Sequence, residues 1–206
     1  MTDKLAIIGA GGHGKVVADA AISMGKYADI VYVDSKFHDC DTHYDLPIVA
    51  DDSGIPDLIQ KGFAFIIAIG SNRIRAEKYA LLGSYTAEMA TIIHAAATIS
   101  PAAKIAPGVV IFAGAIINAD ASIGANVIVN TAAIVEHDCV ISQHVHLAPN
   151  STLTGGCHIG ELSLFGASAS AIPNQKIGAN VVVGAGSVVV HNIPDNTIAR
   201  GIPAKW

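Results

Sequence analysis

From Ile93 onward the chain keeps a period of six residues. Ile93, Ile99, Ile105, Ile111, Ile117, Ile123, Val129, Val135, Ile141, Leu147, Leu153, Ile159, Phe165, Ile177, Val183 and Val189 fall on it, and only Ala171 among these positions is small. Four residues after each stands a mostly small residue, for example Ala97, Ala103, Ala115, Ala121, Ala133, Cys139, Ser151, Cys157, Ser163, Ala169 and Ser187, with Gln175 the exception. A period of six suits neither a helix at 3.6 nor an alternating strand at 2.0, and a β-sandwich would not hold one register for so long. It suits a triangular parallel solenoid with six-residue sides, about eighteen residues per coil and roughly five coils between Ile93 and Val190. The large residue then fills the interior, the small one permits a tight corner, and Gly and Asn serve the remaining turn positions. Composition agrees: 51% of residues are hydrophobic but only 5% aromatic, so small and β-branched side chains carry the core.

Residues 1–92 follow another grammar. Leu5–Ile8 reads as a buried strand, a helix spans about 13–24, and Ile30–Val33 is a second strand ending at Asp34, which makes a βαβ unit. Phe65–Ile69 is a further strand ending at Gly70, Arg73–Leu82 a helix, and Ala90–Ile93 a last strand feeding the first coil. The expected architecture is an α/β, Rossmann-like parallel sheet over 1–92, then an all-β solenoid over 93–206 with a C-terminal tail.

Between the first strand and helix, Gly9-Ala10-Gly11-Gly12-His13-Gly14 satisfies G-x-G-x-x-G, with Asp34 twenty residues beyond. Glycines admit an anion to the backbone, the helix N-terminus stabilises a diphosphate, and an acid closing the second strand accepts ribose hydroxyls. Such a short sheet supplies one mononucleotide-binding half and no nicotinamide half, so a nucleoside diphosphate fits better than a hydride carrier. His13 is a candidate diphosphate donor, and Gly70 shares the carboxyl edge with Gly11 and Asp34.

In the solenoid, Glu136-His137-Asp138 is a charged cluster within an apolar repeat. His137 stands two residues past an interior position and so points outward. A carboxylate that orients one ring nitrogen leaves the other basic, the arrangement of a general base. His144, His146, His158 and His191 follow, with His146 a candidate polar ligand of a cofactor. A zinc held between subunits needs a five-residue histidine separation that His144-x-His146 lacks, so no metal is expected.

The net charge of −5, with twelve Lys and Arg and no basic run, excludes a general nucleic-acid or anionic-membrane surface. The N-terminal apolar run is too short for a leader or a membrane span, and Cys40, Cys139 and Cys157 form neither a disulfide framework nor a zinc ribbon. A cytoplasmic protein with reduced thiols is expected, and Cys139 and Cys157, one coil apart, read as stacked core residues. Outward apolar residues such as Phe112, Ile116, Ile128 and Val182 point to an oligomer.

The Gly-Gly-His-Gly start, Ala68-Ile69-Gly70-Ser71-Asn72-Arg73-Ile74-Arg75, the hexapeptides Ile123–Ile128 and Ile177–Val182, Asn130 followed by Glu136-His137-Asp138, and the ending Gly201–Lys205 together carry a family resemblance. The chain resembles the bacterial nucleotide-sugar N-acetyltransferases of the hexapeptide-repeat superfamily, including the bacillosamine-pathway enzymes, GDP-perosamine N-acetyltransferases and sialic-acid O-acetyltransferases. The resemblance implies left-handed coils, acetyl-CoA as co-substrate, and transfer to the C4 amine of a sugar such as UDP-4-amino-4,6-dideoxy-N-acetylglucosamine in bacterial glycan biosynthesis. It also implies a homotrimer with active sites between subunits. On matching positions it places Gly11, Gly12, His13, Asp34, Ser35, Gly70 and Asn130 at the nucleotide sugar, His137 as base and Asp138 behind it. His146, Gly155, Ala167 and Ala185 fall at acetyl-CoA, with Arg200 and the Gly201–Lys205 segment near its phosphates. The chain departs from the bacillosamine members at Gly11, Ser35 and Asp138.

Direct transfer is the expected mechanism, with backbone N–H groups or His146 facing the oxyanion and no acyl-enzyme. Two rivals are an NAD-dependent oxidoreductase using Gly9–Gly14 and Asp34, and a nucleotide-sugar-binding scaffold whose solenoid only oligomerises.

Overall fold

The computed structural model describes residues 2–38 and 42–206; Cys40 lies outside the described residues. The chain divides into two compact units, Met1–Ala95 and Ala96–Trp206.

In the first unit, β1 (Lys4–Ile8), β2 (Asp29–Val33), β3 (Thr42–His43), β4 (Leu46–Ala50) and β5 (Ala64–Ile67) form a sheet in the order β3-β4-β2-β1-β5. The strands pair in parallel except at the edge, where β3 runs antiparallel to β4. Parallel pairing requires helical crossovers, supplied by α1 (Gly12–Ser23), α2 (Ile55–Gln60) and α3 (Asn72–Ser84). One face of the sheet packs Ala6, Ile8, Val31, Val33, Phe65 and Ile67 with Ile55, Leu58 and Leu82 of the last two helices. Gly14 at the start of α1 fits for a steric reason: a Cβ there would stand 2.3 Å from the Gly9 carbonyl oxygen. The β3–β4 hairpin and α2 escape the sequence reading because their apolar residues are few and interrupted by Pro47 and Pro56. Phe65–Ile69 is shorter than expected: the strand stops at Ile67, and Ala68 and Ile69 enter the loop before α3.

The second unit is a left-handed parallel β-helix of two-residue strands, each pairing with the strand three places on until the last coil, where Val182–Val183 pairs with Ile198–Ala199 two places on. The first side carries Thr98–Ile99, Ile116–Ile117, Ile134–Val135, Thr152–Leu153, Ser170–Ala171 and Val188–Val189. Lys104–Ile105, Ser122–Ile123, Val140–Ile141, His158–Ile159 and Lys176–Ile177 make the second side. The third carries Val110–Ile111, Ile128–Val129, His146–Leu147, Leu164–Phe165, Val182–Val183 and Ile198–Ala199. The sixth-residue positions from Ile111 to Val189 are buried.

The small residue four positions later is itself interior. Ala115, Ala121, Ala133, Cys139 and Cys157 are buried, so the chain turns just before them. Every sixth residue from Gly108 to Gly186 takes φ between +53° and +76°, the left-handed conformation that reverses the chain at each corner. The cysteines stack in the core, with Cys139 Sγ 3.3 Å from the Thr154 carbonyl and Cys157 Sγ 3.3 Å from that of Ile172. The contact with Cys157 and burial hold the Cys139 thiol well above its ordinary pKa. One expectation is corrected: Phe112 and Ile128, each 1% exposed, are already covered within one chain, whereas period counting sees only that they point out of the prism. Val182 remains exposed and Ile116 half-buried.

Candidate active site

In the first unit, predicted residues gather at the carboxyl edge of the sheet. β1 lies between β2 and β5, so the crevice above it is the point where strand order reverses, the position at which open α/β sheets take ligands. Gly9, at φ +106°, turns the chain out of β1, and its N–H donates to the Val33 carbonyl at 2.9 Å. Asp34 closes β2, and its carboxylate accepts the N–H groups of Ala10 at 2.7 Å and Lys36 at 2.9 Å. Burial would raise its pKa, but these donors, the nearby Lys36 charge and Ser35 together hold it below the ordinary carboxylate value. Asp34 and Ser35 line a cavity of about 310 Å³ with Gly9, Ile69, Asp51 to Ser53 and Lys78, which pairs with Asp52. Gly11, Gly12 and Gly70 need their glycines for neither space nor positive φ: a Cβ on any of them would meet nothing within 4 Å. Their bare backbones leave an open cradle beside the start of α1.

His13, on the first turn of α1, is largely buried. Burial and the positive charge of Arg75 lower its pKa to about 4, so it is neutral near pH 7. Arg75 is 1% exposed and ties the other wall of the crevice. Its guanidinium donates to the carbonyls of Ile69 at 3.1 Å and Gly70 at 3.4 Å and to Asn72 Oδ1 at 2.9 Å. Burial lowers its pKa to about 10, which still leaves it charged. His43 adds a ring N–H to the Gly11 carbonyl at 3.2 Å, and its ring meets Tyr32 edge-on. In the sequence Arg75 stands out only as part of the Ala68–Arg75 motif, and His43 belongs to no motif. The one available signal for Arg75 was a second arginine on a helix turn beside a glycine loop.

In the second unit the predicted residues fall into two groups. His137 and Asp138 occupy the corner that follows the first side. Asp138 is the left-handed residue there, at φ +60°, which swings its carboxylate back to within 2.8 Å of His137 Nδ1. The imidazole is 63% exposed in its side chain. The bond to Asp138 holds its pKa above the ordinary histidine value, partial desolvation opposes this, and the charges of Asp138 and Glu136 reinforce it. Glu136 accepts an amide N–H from Asn118 at 2.9 Å one coil earlier. Gly155 stands one coil after His137 at the same corner.

Asn130, Ala167 and Ala185 sit instead at the corner that follows the third side, with His146 on that side's outer face. The Asn130 amide and His146 Nε2 are 3.1 Å apart, a juxtaposition of two predicted residues. The first side separates this corner from that of His137. Arg200 and Lys205 exchange backbone hydrogen bonds of 3.0 Å, folding Gly201–Lys205 into a small antiparallel tail. His158 and His191 are exposed. Among the described residues, no three His, Cys, Asp or Glu converge as metal ligands, and no helix is long and apolar enough to cross a membrane.

Residues 4–82 match the PglD N-terminal domain. Perosamine N-acetyltransferase from Caulobacter crescentus, crystallised with CoA and GDP-perosamine, is 38% identical, with a TM-score of 0.93 over 98% of this chain and 95% of that one. The acetyltransferase domain of PglB from Neisseria gonorrhoeae FA1090, in complex with acetyl coenzyme A, is also 38% identical, with a TM-score of 0.96 over 100% of this chain and 99% of that one. WeeI from Acinetobacter baumannii AYE, 23% identical with a TM-score of 0.88 over 98% of each chain, shares the fold. A curated relative, the acyl-[acyl-carrier-protein]–UDP-N-acetylglucosamine O-acyltransferase of Thiobacillus denitrificans, is 34% identical over 70 residues. That stretch covers 34% of this chain and 27% of the relative's length.

Proposed function

Since the chain belongs to the nucleotide-sugar N-acetyltransferases of the hexapeptide-repeat superfamily, acetyl-CoA-dependent enzymes, we propose that it acetylates the C4 amine of a nucleotide-linked amino-deoxy sugar with His137 as general base. A UDP-4-amino-4,6-dideoxy-N-acetylglucosamine is the first substrate to try, in bacterial glycan biosynthesis. A GDP-linked 4-amino sugar is the second, favoured by the 38% identity to an enzyme crystallised with GDP-perosamine.

The observation that carries this reading is the exposed His137 imidazole held at Nδ1 by Asp138 in an otherwise apolar repeat. With Nδ1 fixed as donor, Nε2 is free to take the proton from the sugar amine as it attacks the thioester carbonyl. The tetrahedral intermediate collapses to the amide and coenzyme A thiolate. Asp138 stabilises the imidazolium formed in between. In the sheet unit, Gly11, Gly12 and His13 meet the diphosphate at the start of α1, Asp34 takes the ribose hydroxyls, and Ser35 and Gly70 complete the crevice. A neutral His13 donates one hydrogen bond, and the charge of Arg75 behind it favours the anion.

His146, Gly155, Ala167 and Ala185 line the way to acetyl-CoA, and Asn130 orients His146. Because Ala167 and Ala185 share one corner of the prism and His137 another, a site that uses both needs two chains. This supports a homotrimer with coenzyme A in the groove between neighbouring solenoids.

The test is thiol release from acetyl-CoA with UDP-, dTDP- and GDP-linked 4-amino-6-deoxy sugars, each run with wild type and His137→Ala. Turnover of one sugar that falls by about 10²–10⁴-fold in the variant is expected, the usual worth of a general base. Thiol release unaffected by the substitution would remove His137 from the chemistry. Release with no sugar of the panel would overturn the amine acceptor.

A further inference from the structure

Gly155 occupies a position that its own backbone does not reserve for glycine. Its φ lies outside the left-handed region, unlike that of Gly156 at φ +71°, and any L residue could adopt its backbone. What excludes a side chain is His137. A Cβ built on Gly155 would stand 2.5 Å from both Cε1 and Nε2 of the imidazole and 3.1 Å from Nδ1. The ring therefore lies flat on the bare Cα of the next coil, and its proton-accepting edge is the part in contact.

The surroundings fix this seat. The Gly156 N–H donates to the His137 carbonyl at 2.9 Å, so the two coils are locked in register directly beneath the ring. The Asn174 N–H donates in turn to the Gly155 carbonyl at 3.0 Å, and Asn174 Oδ1 lies where a Cβ of Gly156 would come, 2.4 Å away. The floor is thus held from the coil after it and has little freedom to yield. Asp138 holds the ring from the side through Nδ1.

We propose that Gly155 is a positioning residue for the transfer: by offering no side chain it lets the His137 ring lie on the next coil with Nδ1 on Asp138 and Nε2 at the reacting amine. This role rests on the reading of His137 as base and is separate from any contact Gly155 makes with coenzyme A. An alanine would leave every backbone group of residue 155 in place and displace only the ring. Displacement of about an ångström is enough to lower a rate by up to about 100-fold.

The experiment is a cycle of Gly155→Ala, His137→Ala and the double variant, with kcat and KM for acetyl-CoA measured across pH and the thermal midpoint of each protein recorded. Gly155→Ala is expected to fold as wild type, to lose about 10- to 100-fold in kcat with KM for acetyl-CoA within about twofold, and to move its acid limb to lower pH as the bond to Asp138 is lost. In the His137→Ala background the ring is gone, so adding Gly155→Ala is expected to change nothing further. Wild-type kcat in Gly155→Ala, a rise in KM for acetyl-CoA with kcat intact, or losses that multiply in the double variant would each overturn the positioning role. If the His137→Ala variant turns over like wild type, it is the base reading that falls.

Discussion

At the scale of residues, the pairing of His137 with Asp138 has a consequence with a definite sign. The carboxylate raises the imidazole pKa, and the proposed role as base needs the unprotonated ring, so activity is expected to decline as pH falls through that raised value. Asp138→Asn keeps the shape and removes the charge. Its kcat/KM acid limb is expected to move to lower pH, while the plateau drops about tenfold or more because the imidazolium loses its counter-charge. A pH–rate profile of both proteins checks this, and an unmoved limb would detach Asp138 from the base. His13 gives the opposite sign in stability. Its folded pKa of about 4 lies below the unfolded value of 6.5, so the unfolded chain binds the extra proton between these values. The contribution of neutral His13 is complete above pH 6.5 and is lost as pH falls toward 4. His13→Asn is expected to flatten that part of the stability curve by an amount on the order of 1 kcal/mol or more, read from urea midpoints at several pH values. The crevice was partly legible in sequence: Asp34 and the glycine loop follow from spacing because the ends of the first two strands of a βαβ unit recur at a fixed separation. Arg75 and His43 act through long side chains that reach across the fold, and no local pattern reports where such chains end.

At the scale of elements, one six-residue unit makes two different demands on small residues. The residue three past each interior position must turn left-handed, a conformation that costs a β-carbon about 1–2 kcal/mol. Ala132 meets this demand at φ +55° with an ordinary side chain. Ala132→Gly is therefore expected to stabilise the solenoid by somewhat less than about 1 kcal/mol, the entropy of glycine offsetting part of the gain. The residue one past the interior position must sometimes clear the next coil. A Cβ on Gly160 would stand 2.4 Å from the backbone of Gly178 and Ala179, which cannot rotate away. Gly160→Ala is expected to destabilise by more than about 2 kcal/mol, and chemical denaturation of the two variants side by side distinguishes the two kinds of small residue. The period of six made the sides of the prism readable because burial repeats with it. It did not say which small residue turns and which packs, since both appear as Gly, Ala, Asn or Ser. The β3–β4 hairpin was opaque for another reason: two-residue and proline-broken strands carry too few alternations to register.

At the scale of the whole molecule, the proposed assembly turns on the third side. Its outer residues run in register from His146 through Leu164 and Val182 to Ile198, and the apolar ones grow more exposed along the row, from half-buried Leu164 to Val182 at 39% and Ile198 at 67%. An apolar row of this kind beside predicted cofactor residues is a surface that the proposed threefold ring would cover with a neighbouring copy. Val182→Asp is expected to shift a species of three times 21.1 kDa toward the monomer in sedimentation and to abolish turnover with it. The proposed division of the site between two corners makes a sharper demand. His137→Ala disables the corner after the first side, and Ala185→Glu blocks the corner after the third, so each variant alone is expected to be inactive. When the two are co-expressed, a site built from different corners of adjacent chains is intact wherever an Ala185→Glu chain supplies His137 and its His137→Ala neighbour supplies Ala185. Random assortment then restores about one quarter of the sites of a cyclic assembly. Were each site contained in one chain, every site would carry one lesion and no activity would return, so the fraction of activity recovered in the co-expressed sample decides between the two arrangements.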